Sequence, residues 1–156
     1  MSIEQQYFIQ ILSDYLNQKE SKAIDNIDWD LIYKYGKSQN LNSIIYIQCK
    51  DLIPKKLLNN FLGQYSSSIV ASRNRNRLVN TIINELQTSS IHFLMVKGSE
   101  VSKLYYHPDL RTMGDTDFIV DKSDLERVDN ILVNRLEFNK SDDFNEWTYF
   151  KNGLEF

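Results

Sequence analysis

Residues 94–118 read LMVKGSEVSKLYYHPDLRTMGDTDF, and their pattern decides the fold of the C-terminal part of the chain. The apolar run Leu94-Met95-Val96 ends in Lys97-Gly98-Ser99. The spacing predicts a buried strand over 91–96, then a short helix over 99–106 that Pro108 stops. Next comes Arg111-Thr112-Met113-Gly114-Asp115-Thr116-Asp117, immediately ahead of the apolar Phe118-Ile119-Val120. A second strand is expected over 115–120, with the two carboxylates at its start. Side chains at i and i+2 of a strand share a face. Their Cα atoms lie roughly 6.6 Å apart at about 3.3 Å rise per residue. Asp115 and Asp117 therefore suit one or two hard divalent cations such as Mg²⁺.

Gly98-Ser99 lies where a strand turns into a helix. Glycine permits a tight turn and close approach of another group to the backbone. The helix start then offers free N–H groups and a positive dipole end to an anion, and the Ser99 hydroxyl adds a donor. An anion cradle beside a cation-holding carboxylate pair is what phosphoryl or nucleotidyl transfer requires, because charge builds on equatorial phosphate oxygens. Lys97 reads equally as a phosphate contact and as a solvated charge at a strand end. Arg111 has two readings: a bidentate partner for a triphosphate, or a structural ion pair with Asp109 or Asp115.

Working outward, residues 1–90 read as helical. Ile3, Tyr7, Ile11, Leu12, Tyr15 and Leu16 recur at helical spacing. Asp28 is placed to cap a helix containing Trp29, Leu31, Ile32 and Tyr35, and Asn42 opens another. Pro54 suits the first turn of a long helix over 55–88. Its expected core face is Leu58, Phe61, Leu62, Tyr65, Ile69, Leu78, Ile82 and Leu86, with Gly63 and Ser66-Ser67-Ser68 as a weak point. Arg73, Arg75 and Arg77 form a small basic cluster, in which Arg73 and Arg77 share a helix face that reads as solvated, with contact to a nucleic acid or nucleotide as the alternative. Beyond the second strand, Ser123-Asp124-Leu125-Glu126 has the form of a capping box opening a helix to about 136. Residues 147–150 and 154–156 flank Lys151-Asn152-Gly153 as a hairpin.

The fold class expected is α+β. A helical N-terminal region, 1–90, precedes a small mixed β-sheet core with flanking helices, 91–156. The chain ends in mid-strand at Leu154-Glu155-Phe156, so that core is expected to be truncated at its C-terminus. The net charge of −3 gives no general nucleic-acid footprint, and no DNA partner is expected. The single cysteine, Cys49, excludes an intramolecular disulfide and reads as a small core residue. With two histidines, His92 and His107, a zinc site is not expected. No apolar stretch approaches the roughly 20 residues that span a bilayer, and the N-terminus lacks a signal-peptide pattern. A cytoplasmic protein without membrane association is the expectation.

The order apolar-Gly-Ser, helix, Asp-x-Asp-apolar resembles the signature of the polymerase-β-type nucleotidyltransferase superfamily. The longer string Lys97-Gly98 … Leu110-Arg111-Thr112-Met113-Gly114-Asp115-Thr116-Asp117 most resembles the bacterial "uncharacterised nucleotidyltransferase" family with its KG…LRxMGDxD pattern. Ile27-Asp28-Trp29 is similar to a segment of that family's helical half. The resemblance implies an enzyme that moves a nucleoside monophosphate from an NTP to a hydroxyl acceptor and releases pyrophosphate. It implies Mg²⁺ or Mn²⁺ on Asp115 and Asp117, and phosphates on Gly98 and Ser99. It also implies a third carboxylate on a later strand that assists deprotonation of the acceptor. Glu155 has the apolar-acid-apolar setting for that role, and a residue beyond Phe156 is the alternative. Thr116 departs from the family pattern, which is apolar there. Small molecules, tRNA and protein all remain open as acceptors, the last two in a toxin-like variant. A non-catalytic nucleotide- or protein-binding domain is the competing reading.

Overall fold

A computed structural model describes residues 1–96, 98–141 and 147–156. It is α+β, with two compact units, Met1–Ala71 and Ser72–Phe156. The boundary falls inside one long helix, so each unit contains part of it.

The first unit is helical. Helix α1 spans Ile3–Leu16, α2 Trp29–Ser38 and α3 Asn42–Cys49; α4 spans Lys55–Thr88, and its first half belongs here. The Asp28 carboxylate accepts from the backbone N–H of Asp30 and Leu31, satisfying two donors at the start of α2. Trp29 then packs edge-on against Tyr7 and Phe61. The Ile27-Asp28-Trp29 segment is therefore a cap followed by a core anchor. Tyr7, Ile11, Ile32, Ile45, Cys49, Ile53, Leu57 and Phe61 form the buried cluster. Burial pushes the Cys49 thiol up to about 12, Asp14 adds to this, and a Ser21 hydrogen bond opposes it. Helices α2 and α3 approach closely at Gly36, where a Cβ would lie 2.0 Å from Asn42 Oδ1.

Helix α4 runs without a break past Gly63 and the serine run. Ser43 of α3 accounts for part of this, since its hydroxyl bonds to the Gln64 carbonyl and the Ser68 hydroxyl. On the expected core face of α4, Phe61, Ile82 and Leu86 are buried, but the face is not wholly as expected. Leu57 and Val79 are buried, whereas Leu62 is 39% exposed.

The second unit is the mixed part. Strand β1 is Phe93–Val96, α5 is Gly98–Ser102 and β2 is Asp117–Val120. Strands β1 and β2 pair antiparallel, with Val96 opposite Asp117 and Leu94 opposite Ile119. The 91–96 strand is not buried as expected. Leu94 is 61% exposed and Ile119 57%, because the core covers one face of this ladder only. Helix α6, Leu125–Asp129, continues as a π turn over Asn130–Arg135. The Ser123 capping box does not form, because a 3₁₀ turn over Lys122–Asp124 moves the cap position to Asp124. Strands β3 (Asn139–Lys140), β4 (Tyr149–Lys151) and β5 (Leu154–Glu155) form an antiparallel set. The β4–β5 hairpin turns at Asn152 and Gly153, with φ of 54° and 74°, as a two-residue turn of this hand needs.

Ile82 and Leu86 of α4 join Ile91, Val128, Ile131, Leu132, Phe138 and Tyr149 in the core of this unit. Among the described residues no helix is long and apolar enough to cross a membrane.

Candidate active site

The carboxylate-bearing segment lies between a 3₁₀ turn, Pro108–Leu110, and β2. Leu110 anchors the segment at 2% exposure. Asp115 is exposed and Asp117 half-buried, with the buried Thr116 between them. The Thr116 N–H donates to the Glu155 carbonyl at 3.2 Å. This bond joins the start of β2 to the end of the hairpin. As a result Asp115, Asp117 and Glu155, distant in sequence, line one cavity of about 500 Å³. Its other wall is apolar, with Phe118, Val120, Leu125 and Leu132, and Trp147 beside them.

The Gly98 region is shaped by two side chains. A Cβ at Gly98 would lie 3.1 Å from Arg111 Nη1 and 3.2 Å from Met113 Sδ. The Arg111 guanidinium thus rests on the glycine's bare Cα at the start of α5. Arg111 Nη1 is buried and has no hydrogen-bond partner among the described residues. Asp109, one of the two ion-pair partners expected for Arg111, accepts from the Ser72 hydroxyl at 2.8 Å. Lys97 lies outside the described residues. Ser99 is the second residue of α5.

Sequence reasoning missed Arg75. It is not part of a solvated cluster: Arg73 and Arg77 are exposed, but Arg75 is 7% exposed. Its Nη2 donates to the Met113 carbonyl at 2.7 Å and to the Gly114 carbonyl at 3.4 Å. Its Nη1 donates to Thr116 Oγ1 at 3.4 Å. The hydroxyl at the position where the family pattern is apolar thus receives a buried guanidinium. The helical period held the signal, since Ser72, Arg75, Val79, Ile82 and Leu86 share one stripe of α4.

Among the described residues no group of three or more His, Cys, Asp or Glu side chains is gathered as a metal cage. The donors the cavity does offer are carboxylate oxygens. Mg²⁺ is commonly held by one or two carboxylates together with substrate phosphates and water, and the Asp115–Asp117 pair fits that requirement.

A family model described as "Uncharacterised nucleotidyltransferase" matches residues 25–156. No curated protein and no solved structure matches the chain.

Proposed function

The chain belongs to the uncharacterised nucleotidyltransferase family, and from that membership we propose that it moves a nucleoside monophosphate from an NTP to a hydroxyl acceptor. The observation that carries the reading is the convergence of Asp115, Asp117 and Glu155 on one cavity. Asp115 and Asp117 hold Mg²⁺ or Mn²⁺. The bound cation would neutralise charge on the triphosphate. Gly98 leaves room for the Arg111 guanidinium beside the start of α5, and Arg111 donates to a phosphate oxygen. Lys97 and Ser99, the sequence neighbours of Gly98, are assigned the remaining phosphate contacts. Glu155 takes the proton of the acceptor hydroxyl. The acceptor oxygen then bonds to the α-phosphorus, the bond to the β-phosphate oxygen breaks, and pyrophosphate leaves.

The test is a thermal melt with each of four NTPs, with and without Mg²⁺, on the wild type and on Asp117→Asn. A ligand at about 100 times its Kd adds roughly 2.7 kcal/mol, which for a chain of this size is about 5–10 °C. The expected result is a Mg²⁺-dependent shift that Asp117→Asn abolishes. The same shift in both proteins would overturn the assignment of the carboxylate pair.

A further inference from the structure

Arg75 is a buried cation whose acceptors are two backbone carbonyls and a hydroxyl. Burying a guanidinium is costly, and apolar side chains often fill such a place as well or better. Burial lowers its proton affinity and the neighbouring Asp115 carboxylate partly restores it, so the group stays charged at any working pH. The three acceptors, on Met113, Gly114 and Thr116, bracket Asp115. Met113 and Gly114 belong to no ladder, so Arg75 fixes a stretch of backbone that secondary structure does not. Two carboxylates at i and i+2 also repel each other, and a fixed positive charge behind the loop opposes that repulsion.

We infer that Arg75 is a positioning residue, which holds the Met113–Thr116 backbone so that the Asp115 and Asp117 carboxylates meet a divalent cation in the shared cavity. The inference rests on the reading of those aspartates as the cation-holding pair. Arg75 touches neither cation nor nucleotide; it acts through the loop. Groups that orient metal-binding side chains in this way typically change metal affinity about 10- to 100-fold when replaced.

The experiment uses Mn²⁺ as the probe, with binding followed by electron paramagnetic resonance on the full chain. Hydrogen exchange of the ligand-free protein is measured in parallel. The variants are Arg75→Lys, Arg75→Met and Asp117→Asn. Lysine keeps the charge but lacks the planar fork that spans a carbonyl and a hydroxyl. The expected result for Arg75→Lys is Mn²⁺ binding weakened about 10-fold or more. Exchange should quicken at the amides of 113–117, while those around Ile82, Leu86 and β1 keep wild-type protection. Arg75→Met should be weaker still.

Wild-type Mn²⁺ affinity and wild-type loop exchange in Arg75→Lys would overturn the positioning role. So would a loss of protection spread evenly over 72–156, which would make Arg75 a plain structural residue. If wild-type binding of Mn²⁺ is indifferent to Asp117→Asn, the cation reading itself falls and takes this role with it. Binding through Asp117 that Arg75→Lys leaves intact would sink the positioning role alone.

Discussion

The backbone N–H of Thr116 donates to the carbonyl of Glu155 at 3.2 Å, so the residue between the two aspartates is bonded to the residue that carries the third carboxylate. The three acids then share a cavity, and the proposed function gives them different roles that substitution should separate. Asp115 and Glu155 are exposed, and surface changes of this kind usually stay within about 0.5 kcal/mol. Asp115→Asn and Glu155→Gln should therefore melt near the wild type. Asp115→Asn should lose the Mg²⁺-dependent NTP shift. Glu155→Gln should keep that shift yet release pyrophosphate about 100-fold more slowly or worse, as loss of a general base does. Loss of the shift in Glu155→Gln would make Glu155 a cation ligand instead.

Arg111→Met is expected to behave oppositely with and without nucleotide. In the free protein Nη1 is a buried donor without a partner among the described residues, and an unsatisfied buried group costs about 1–3 kcal/mol, more when charged. Replacing it with an unbranched apolar side chain should leave the melting temperature unchanged or higher. Added NTP with Mg²⁺ should then stabilise the variant less than the wild type. A variant that melts well below the wild type without nucleotide would show that Arg111 is held by structural partners.

Gly98→Ala sets two terms of similar size against each other. Alanine gains about 1 kcal/mol over glycine in a helix interior, and less at the first residue of α5, where Gly98 sits. Its Cβ would meet Arg111 Nη1 at 3.1 Å and Met113 Sδ at 3.2 Å, and overpacking of that kind typically costs about 1–3 kcal/mol. Both neighbours are ends of flexible side chains, so the lower figure applies. The expected change in stability is within about 1 kcal/mol, or roughly 2–4 °C. Displacement of Arg111 should nonetheless weaken the nucleotide-induced shift. Gly98→Val, with a branched side chain in the same space, should lower both quantities. An unchanged nucleotide shift in Gly98→Val would exclude Gly98 from the phosphate contacts.

Much of this arrangement is legible in the residues themselves. Asp28 ahead of an apolar helix start and Asn152-Gly153 between two short apolar runs each describe a local rule that the chain obeys; of Asp-x-Asp, expected to open a strand at 115, only Asp117 enters β2 and Asp115 stays in the loop before it. What escapes local reading depends on tertiary partners. Arg75 looks like its exposed neighbours Arg73 and Arg77 until the apolar stripe of α4 is followed through Val79, Ile82 and Leu86. Continuity of α4 past Gly63 depends in part on Ser43, some twenty residues away. Leu94 reads as core because it lies in an apolar run, yet it and Ile119 opposite it are exposed on one side of a two-stranded ladder. The capping sequence at Ser123 is outcompeted by a 3₁₀ turn that satisfies the Asp124 N–H through Asp121.

A polar group around Tyr149, one of the cavity-lining residues, should set the pH limits of the second unit. Asp129 accepts from the Tyr149 hydroxyl at 2.8 Å and from Lys140 Nζ at 2.7 Å. Lys140 Nζ also sits 3.7 Å from the centre of the Trp147 ring, an additional hold on the cation. Burial pulls the Asp129 carboxyl upward, but the Lys140 and Tyr149 hydrogen bonds and the Lys140 charge outweigh it, and the net effect is a lowered value. Burial, and then Asp129, raise the Tyr149 phenol well above its ordinary 10.0. For a lowered carboxyl, the stabilisation is present above the ordinary value of 3.8 and is lost as pH falls through the folded one. For a raised phenol, it is present below 10.0 and is lost as pH rises toward the folded value. Melting temperature against pH should thus be flat between these limits and fall on both sides. Asp129→Asn should flatten part of the acid limb. Tyr149→Phe should flatten part of the alkaline limb, the remainder belonging in part to Tyr7, whose phenol is raised to about 12 in the first unit. At neutral pH Tyr149→Phe should also cost about 1.5 kcal/mol, the lower end for a hydrogen bond to a charged group. An alkaline limb identical in Tyr149→Phe and the wild type would mean that Tyr149 ionises as freely in the folded chain as in the unfolded one.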